Sequence, residues 1–325
     1  MSAAPKGDIH EVASAKLNDS LWQSFARVRD TFRTEDWSPG MSRYLAITPA
    51  RDEEKLLPGL IGSMASQSHL PSRWIIIDDG SADATPAILE EAARRYPWME
   101  VHRLERNRPR AAGGESVIMR FLPRETWNQY DYVLRLDADL SFASDFVELL
   151  LNEFSRDPVL GIAGATLYEP DGGRWREIRV PQFHTRGAVK MYSARCFQAI
   201  GGLEAGLGWD TVDEAHAMML GFKTRSFRHI HAQHHRPQGS ASKAWRGHLA
   251  SGRAAYRAGY SAIFMMARVF RQLRGKPFGL ASIMMLAGFC EGYLRKAPRA
   301  ASPELVKFIR RQQLRRLLMQ ESVWR

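Results

Sequence analysis

Cysteine is scarce in this chain. Its 325 residues hold two, Cys196 and Cys290, far apart and outside any Cys-x-x-Cys spacing. That excludes a disulfide framework and a thiolate zinc site, and makes a reducing compartment the expectation. Long apolar runs are also lacking. The most apolar late stretch, 277–290, has 14 uncharged residues between Lys276 and Glu291. A spanning helix needs roughly 20, so a re-entrant, interfacial or buried helix is expected there. The first twenty residues contain no apolar core, so no secretory signal is expected. Acids nearly vanish from the last quarter. Residues 243–325 hold 17 Lys/Arg against Glu291, Glu304 and Glu321, a net of +14 in a chain whose total is +11. Such asymmetry points that region at anionic lipid or nucleic acid.

What is present reads as an ordinary globular composition, 45% hydrophobic and 25% charged, enough for one large domain or two modest ones. Three segments follow from the composition: an extension (1–40) with scattered Trp22, Phe25, Phe32 and Trp37, a regular domain (41–242), and a basic helical region (243–325). Within the domain, the apolar, β-branched run at 73–79 and the strand-like runs at 43–48, 99–104 and 131–137 predict strands. Helical spacing at 53–67, 84–96 and 113–122 predicts helices between them. This alternation predicts an α/β, Rossmann-like, doubly wound and mostly parallel sheet. Later strands are expected at 159–170, 184–197 and 223–233, and a helix at 211–220.

In open α/β sheets, ligands bind at the carboxyl ends of strands. Three such ends carry polar groups: Thr48, Asp78-Asp79, and Asp137-Ala138-Asp139. Strand alternation points Asp137 and Asp139 to one side. Two close carboxylates repel unless a cation sits beside them, and an oxygen-rich site of few ligands suits Mg²⁺ or Mn²⁺ on a diphosphate. Solvated loop acids or a helix cap would explain the triplet equally well. After Asp78-Asp79, Gly80 permits a tight turn, and Ser81 or Asp83 can cap the next helix. The turn alone does not require two carboxylates.

A third acidic run, Asp210 with Asp213-Glu214-Ala215-His216, spells a helicase box in its last four residues. No G-x-x-x-x-G-K-[ST] phosphate loop accompanies it, so an NTPase reading is rejected. Four histidines between His229 and His235 suggest metal binding; a strand with outward polar residues is the plain alternative.

Residues 47–54, 75–85 and 134–141 ("ITPARDEE", "IIIDDGSADAT", "LRLDADLS"), in that order and spacing, resemble family 2 glycosyltransferases of the GT-A fold, over roughly residues 43–240. The resemblance implies a nucleotide-sugar site formed by Thr48, Pro49, Ala50, Arg51, Glu53, Asp78, Asp79, Gly80, Arg110, Asp137, Ala138 and Arg236. Thr48 and Asp79 would meet the base, and Arg110 a phosphate. Mn²⁺ or Mg²⁺ would be held by Asp139 and Asp137 with His234 or His235. A general base would come from Asp213 first, then Asp210 or Glu214, and direct displacement would invert the anomeric centre. Arg51 stands where such proteins often have Asn, and the acidic run departs from their usual Glu-Asp.

The resemblance further implies a UDP- or dTDP-sugar donor and a hydroxyl acceptor, lipid-linked or polysaccharide, as in bacterial cell-surface polysaccharide assembly. In the basic region, Val306, Ile309, Leu314, Leu317 and Leu318 against Arg310, Arg311, Arg315 and Arg316 suit an amphipathic helix on an anionic membrane surface. The expectation is a cytoplasmic enzyme, peripheral on the inner face of the plasma membrane, with no nucleic-acid partner. A non-catalytic nucleotide-sugar-binding scaffold and a basic nucleic-acid-binding protein are the alternatives from other classes.

Overall fold

The computed structural model describes residues 42–106, 118–236, 244–272 and 279–324. The extension 1–40, Arg110 and most of the helix expected at 113–122 lie outside them. Four strands form the parallel half of one sheet: β1 (Tyr44–Ala50), β2 (Arg73–Asp78), β3 (Met99–Arg103) and β4 (Tyr132–Leu136). Helices α1 (Leu57–Ala65) and α2 (Thr85–Arg95) make the first two crossovers, each with a proline in its first turn, where the missing N–H costs nothing.

Alternation along β1 builds two cores. Tyr44 and Ala46 pack with Leu60 of α1, Leu89 of α2 and Leu150 of α3 (Phe146–Arg156). Leu45 and Ile47 face the other way, toward Phe197 of α4 (Ala194–Ile200) and Trp209 of α5 (Trp209–Met219). Both faces are thus covered, as β-branched and apolar runs demand. Each fully buried Leu or Ile contributes about 1.5–3 kcal/mol.

Beyond β4 the sheet is mixed rather than parallel. β8 (Val189–Ser193) runs antiparallel to β4 and to β6 (Leu160–Asp171). β9 (Lys223–His234) lies parallel to β6, and the short β5 (Leu140–Phe142) antiparallel to β9. The order is β3-β2-β1-β4-β8-β6-β9-β5. β7 (Arg174–Ile178), not foreseen in the sequence, pairs with β6 through Gly172-Gly173, both at positive φ. That two-residue glycine turn matches the twist of a hairpin.

The basic region folds as α6 (Ala244–Arg257), α7 (Ala262–Gln272), α8 (Leu280–Leu294) and α9 (Pro303–Leu317). α8 crosses α6 at glycines: a Cβ on Gly252 would strike the Met285 carbonyl, and one on Gly288 the Leu249 carbonyl. α9 packs Leu305, Val306 and Ile309, with Trp324, against Val212, Ala215 and Met218 of α5. Of the apolar face expected to meet a membrane, Val306 and Ile309 are therefore turned onto the α/β domain. The other three, Leu314, Leu317 and Leu318, are exposed.

Candidate active site

The strand ends converge on one mouth. At β1, Thr48 is fully buried and accepts from the Trp74 indole N–H at 3.0 Å. Its side chain faces the α1–α2 core, which corrects the expectation that it reaches a base. Pro49 is half-buried and Ala50 buried at the strand exit. The Arg51 guanidinium lies 3.3 Å from Asp79, and the Asp79 N–H donates to the Ala50 carbonyl at 2.8 Å. Asp78 is buried and accepts from the Ser81 N–H at 2.8 Å. Gly80 has φ 72°, and a Cβ there would sit 2.6 Å from the Arg106 backbone. Only glycine meets both demands.

Across the mouth, Arg236 grips Glu53 with two hydrogen bonds, 3.0 and 2.5 Å, joining chain segments 183 residues apart. The Asp137 carboxylate lies 2.6 Å from Arg135, and Asp139 lies 3.3 Å from Nε2 of His234. His234 Nδ1 is 3.2 Å from Glu169. Ligand atoms of Asp137, Asp139 and His234 all lie within 4.8 Å of one another. Burial works against the Asp139 charge, but the His234 hydrogen bond and the His234 and Arg236 charges overcome it and lower its pKa. His235 points elsewhere: its Nε2 is 2.7 Å from the Ser141 hydroxyl, and its ring meets Trp175 edge-on. Of the two histidines, only His234 joins the cluster. Two carboxylates and one imidazole suit Mn²⁺ or Mg²⁺ in donor type and number.

The family model for glycosyl transferase family 2 matches residues 45–202. Residues 45–202, just under half of the chain, form a glycosyl transferase family 2 domain. Among curated relatives, the beta-monoglucosyldiacylglycerol synthases of Synechocystis sp. and Trichormus variabilis are 30% and 29% identical over 118 and 115 residues, 35% of this chain in each case. The matched stretches are 23% and 24% of those proteins, so the chain spans about a quarter of their length. The fold is shared with a mannosyltransferase from Pyrobaculum calidifontis, solved with GDP-Man and Mn²⁺ (15% identity, TM-score 0.51, 96% of this chain and 88% of that one). It is shared also with S. aureus TarS 1–349 solved with UDP-GlcNAc (16%, 0.51, 85% and 86%).

The acidic run opens α5, after Gly208 at φ 84°. Only Asp210 is partly exposed. Asp213 and Glu214 are buried among Lys190, Tyr192, His184 and Thr185. Lys190 Nζ donates to both Asp213 oxygens at 2.9 and 3.0 Å, lies 3.1 Å from Glu214, and donates to the Asp210 carbonyl at 2.7 Å. Desolvation and Glu214 push the Asp213 pKa up against Lys190, while His184 and Lys190 hold Glu214 down against burial. The expectation that Asp213 leads as base is therefore corrected: its side chain has no exposure from which to meet an acceptor.

Sequence reasoning missed what links the two acidic sites. Trp209 carries the Arg135 guanidinium 5.2 Å and the Lys190 ammonium 5.1 Å from its ring centroid. Arg135 also donates to the Gly187 carbonyl and pairs with Asp137. The signal was available: a charged residue inside each of the apolar runs "VLRL" and "AVKMY" can only be buried with partners.

Proposed function

We propose that the protein transfers a sugar from a nucleoside diphosphate sugar to a hydroxyl of a lipid-linked or polysaccharide acceptor, with inversion. The observation that carries this reading is the Asp137/Asp139/His234 cluster at the strand ends, tied through Arg135 and Trp209 to the first turn of α5. Asp79, Arg51 and the β1 exit would flank the nucleoside; Arg236 would meet the diphosphate. Asp139, Asp137 and His234 would hold Mn²⁺ or Mg²⁺, which when bound offsets charge developing on the departing diphosphate. The carboxylate of Asp210 takes the proton from the acceptor hydroxyl as that oxygen attacks the anomeric carbon. The acceptor class is supported by the cyanobacterial relatives, whose name denotes a glucosylated diacylglycerol. We place the enzyme at the cytoplasmic face of an anionic membrane, with UDP- or dTDP-sugars as first donors to test.

Calorimetry with UDP, dTDP and GDP, each with Mn²⁺ or with EDTA, tests the donor site. Selective, Mn²⁺-dependent binding that Asp139→Asn abolishes is the expected result. Nucleotide binding that ignores both the metal and the substitution would overturn the metal assignment, and no nucleotide binding at all would overturn the donor reading.

A further inference from the structure

Two helices of the basic region are apolar on the side turned to solvent as well as on the side turned inward. On α7, Ile263, Met266 and Phe270 recur at helical spacing and are exposed, Ile263 to 71% and Phe270 to 77%. Ala262 and Ala267 continue that face. On α8, Ile283, Ala287, Cys290 and Leu294 form a second exposed stripe, with Leu294 exposed to 85%. The opposite faces are already used: Met265 and Val269 of α7 pack with Met285 and Phe289 of α8 and Tyr256 of α6. The Ser282 hydroxyl donates to the Val269 carbonyl at 3.2 Å, pinning one helix to the other. A surface helix of a soluble protein turns polar residues outward; these two do the reverse.

The charge around the stripes has one sign. No Asp or Glu occurs between residues 244 and 290. The first acid, Glu291, is neutralised within the fold by Arg253 at 2.7 Å and Arg295 at 3.0 Å. Arg271, Arg295 and Lys296 are exposed at the ends of the two helices. The helices have 11 and 15 residues, about 16 and 22 Å at 1.5 Å per residue, against a hydrocarbon core of about 30 Å. Among the described residues no helix is long and apolar enough to cross a membrane. An apolar stripe that cannot span, edged by cations, fits a bilayer interface.

We infer that α7 and α8 are an in-plane anchor that beds Ile263, Met266, Phe270, Ile283 and Leu294 in an anionic lipid surface. The anchor is continuous with the catalytic domain: Tyr260 and Phe264, at and just before the first turn of α7, pack in the cluster that holds Val212 and Ala215 of α5. Bedding the helices therefore fixes the height of Asp210 above the bilayer. This deepens the reading of a lipid-linked acceptor, and its test requires no turnover.

The test is sedimentation of the full chain with vesicles of phosphatidylcholine alone, or of equal parts phosphatidylcholine and phosphatidylglycerol, for the wild type and for Ile263→Ser/Phe270→Ser. The expected result is binding to the mixed vesicles, weakened by salt, with each serine reducing the partition about tenfold or more. Nucleotide calorimetry on the same variant checks that the donor domain is intact. Wild type that ignores mixed vesicles, or a variant that binds as the wild type does, overturns the anchor. Equal, salt-insensitive binding to pure phosphatidylcholine overturns its anionic specificity. Self-association without lipid that the two serines abolish assigns the stripes to a second copy of the chain and also overturns it. Vesicle binding in a chain that binds no nucleotide leaves the anchor standing and sinks only the donor reading.

Discussion

Lys190→Met removes the cation that contacts both Asp213 and Glu214 while nearly preserving side-chain length. Lys190 is fully buried, and its ammonium lies 2.9 Å from Asp213 and 3.1 Å from Glu214. At an effective dielectric of about 20, each contact near 3 Å corresponds to about 5 kcal/mol of gross attraction. Most of that offsets desolvation, and deleting one partner of a buried pair costs about 3–5 kcal/mol. Asp213 keeps the Tyr192 hydroxyl and the Glu214 N–H as donors, so the lower part of that range is expected. Burial and Glu214 already raise the Asp213 pKa, and only Lys190 and hydrogen bonds oppose them. Without the lysine the folded protein binds a proton at Asp213 that the unfolded chain, with an aspartate pKa of about 3.9, has released. The folded pKa lies above the unfolded one, so stability falls as pH rises between them. The loss should be smaller at pH 5 than at pH 8. Urea unfolding followed by tryptophan fluorescence and circular dichroism reads both quantities, and Lys190→Met/Asp213→Asn should recover part of the loss. A loss below about 1 kcal/mol at pH 8, or one that grows toward pH 5, would refute the picture of a charged buried cluster.

Asp210→Asn should lower kcat by roughly 10²–10⁴-fold and leave nucleotide affinity and the urea midpoint near wild type; turnover within tenfold of wild type would move the base elsewhere. The His184 pKa is lowered by burial but raised on balance by Glu214. Its contribution to stability is therefore full below about pH 6.5 and is lost as pH rises through the folded value. His184→Gln should flatten that alkaline slope, and an unchanged slope in urea melts would assign it to another group. Gly288→Val should force α8 off α6 and cost about 1–3 kcal/mol or more, read as a lower thermal midpoint, with Mn²⁺-dependent nucleotide binding retained; an unchanged midpoint would mean that the crossing is looser than drawn.

The parallel half of the sheet was legible because β1, β2 and β4 are largely apolar runs closed by polar strand ends, and local pattern suffices there. β7 was not, because Arg174–Ile178 is an exposed edge strand whose sequence carries no apolar period; only the Gly172-Gly173 pair announced its turn. The metal cluster was half legible. Asp137 and Asp139 are neighbours in sequence, but the choice of His234 over His235 depends on which face of β9 meets β5, where Leu140 pairs with His234. That register is a long-range fact. The ranking of Asp213 over Asp210 failed for the same reason. Both acids belong to one helix turn, and helical spacing cannot say which side will meet a lysine delivered from β8, 20 to 23 residues upstream. Lys190, Arg135 and Trp209 form the inner link between the donor cluster and α5, and each is a polar or bulky residue in an apolar run. A buried charge in a strand demands a partner even when the partner cannot be named from sequence. Pairing the unexplained cations of β4 and β8 with the surplus acids of α5 would have found this link before any coordinates.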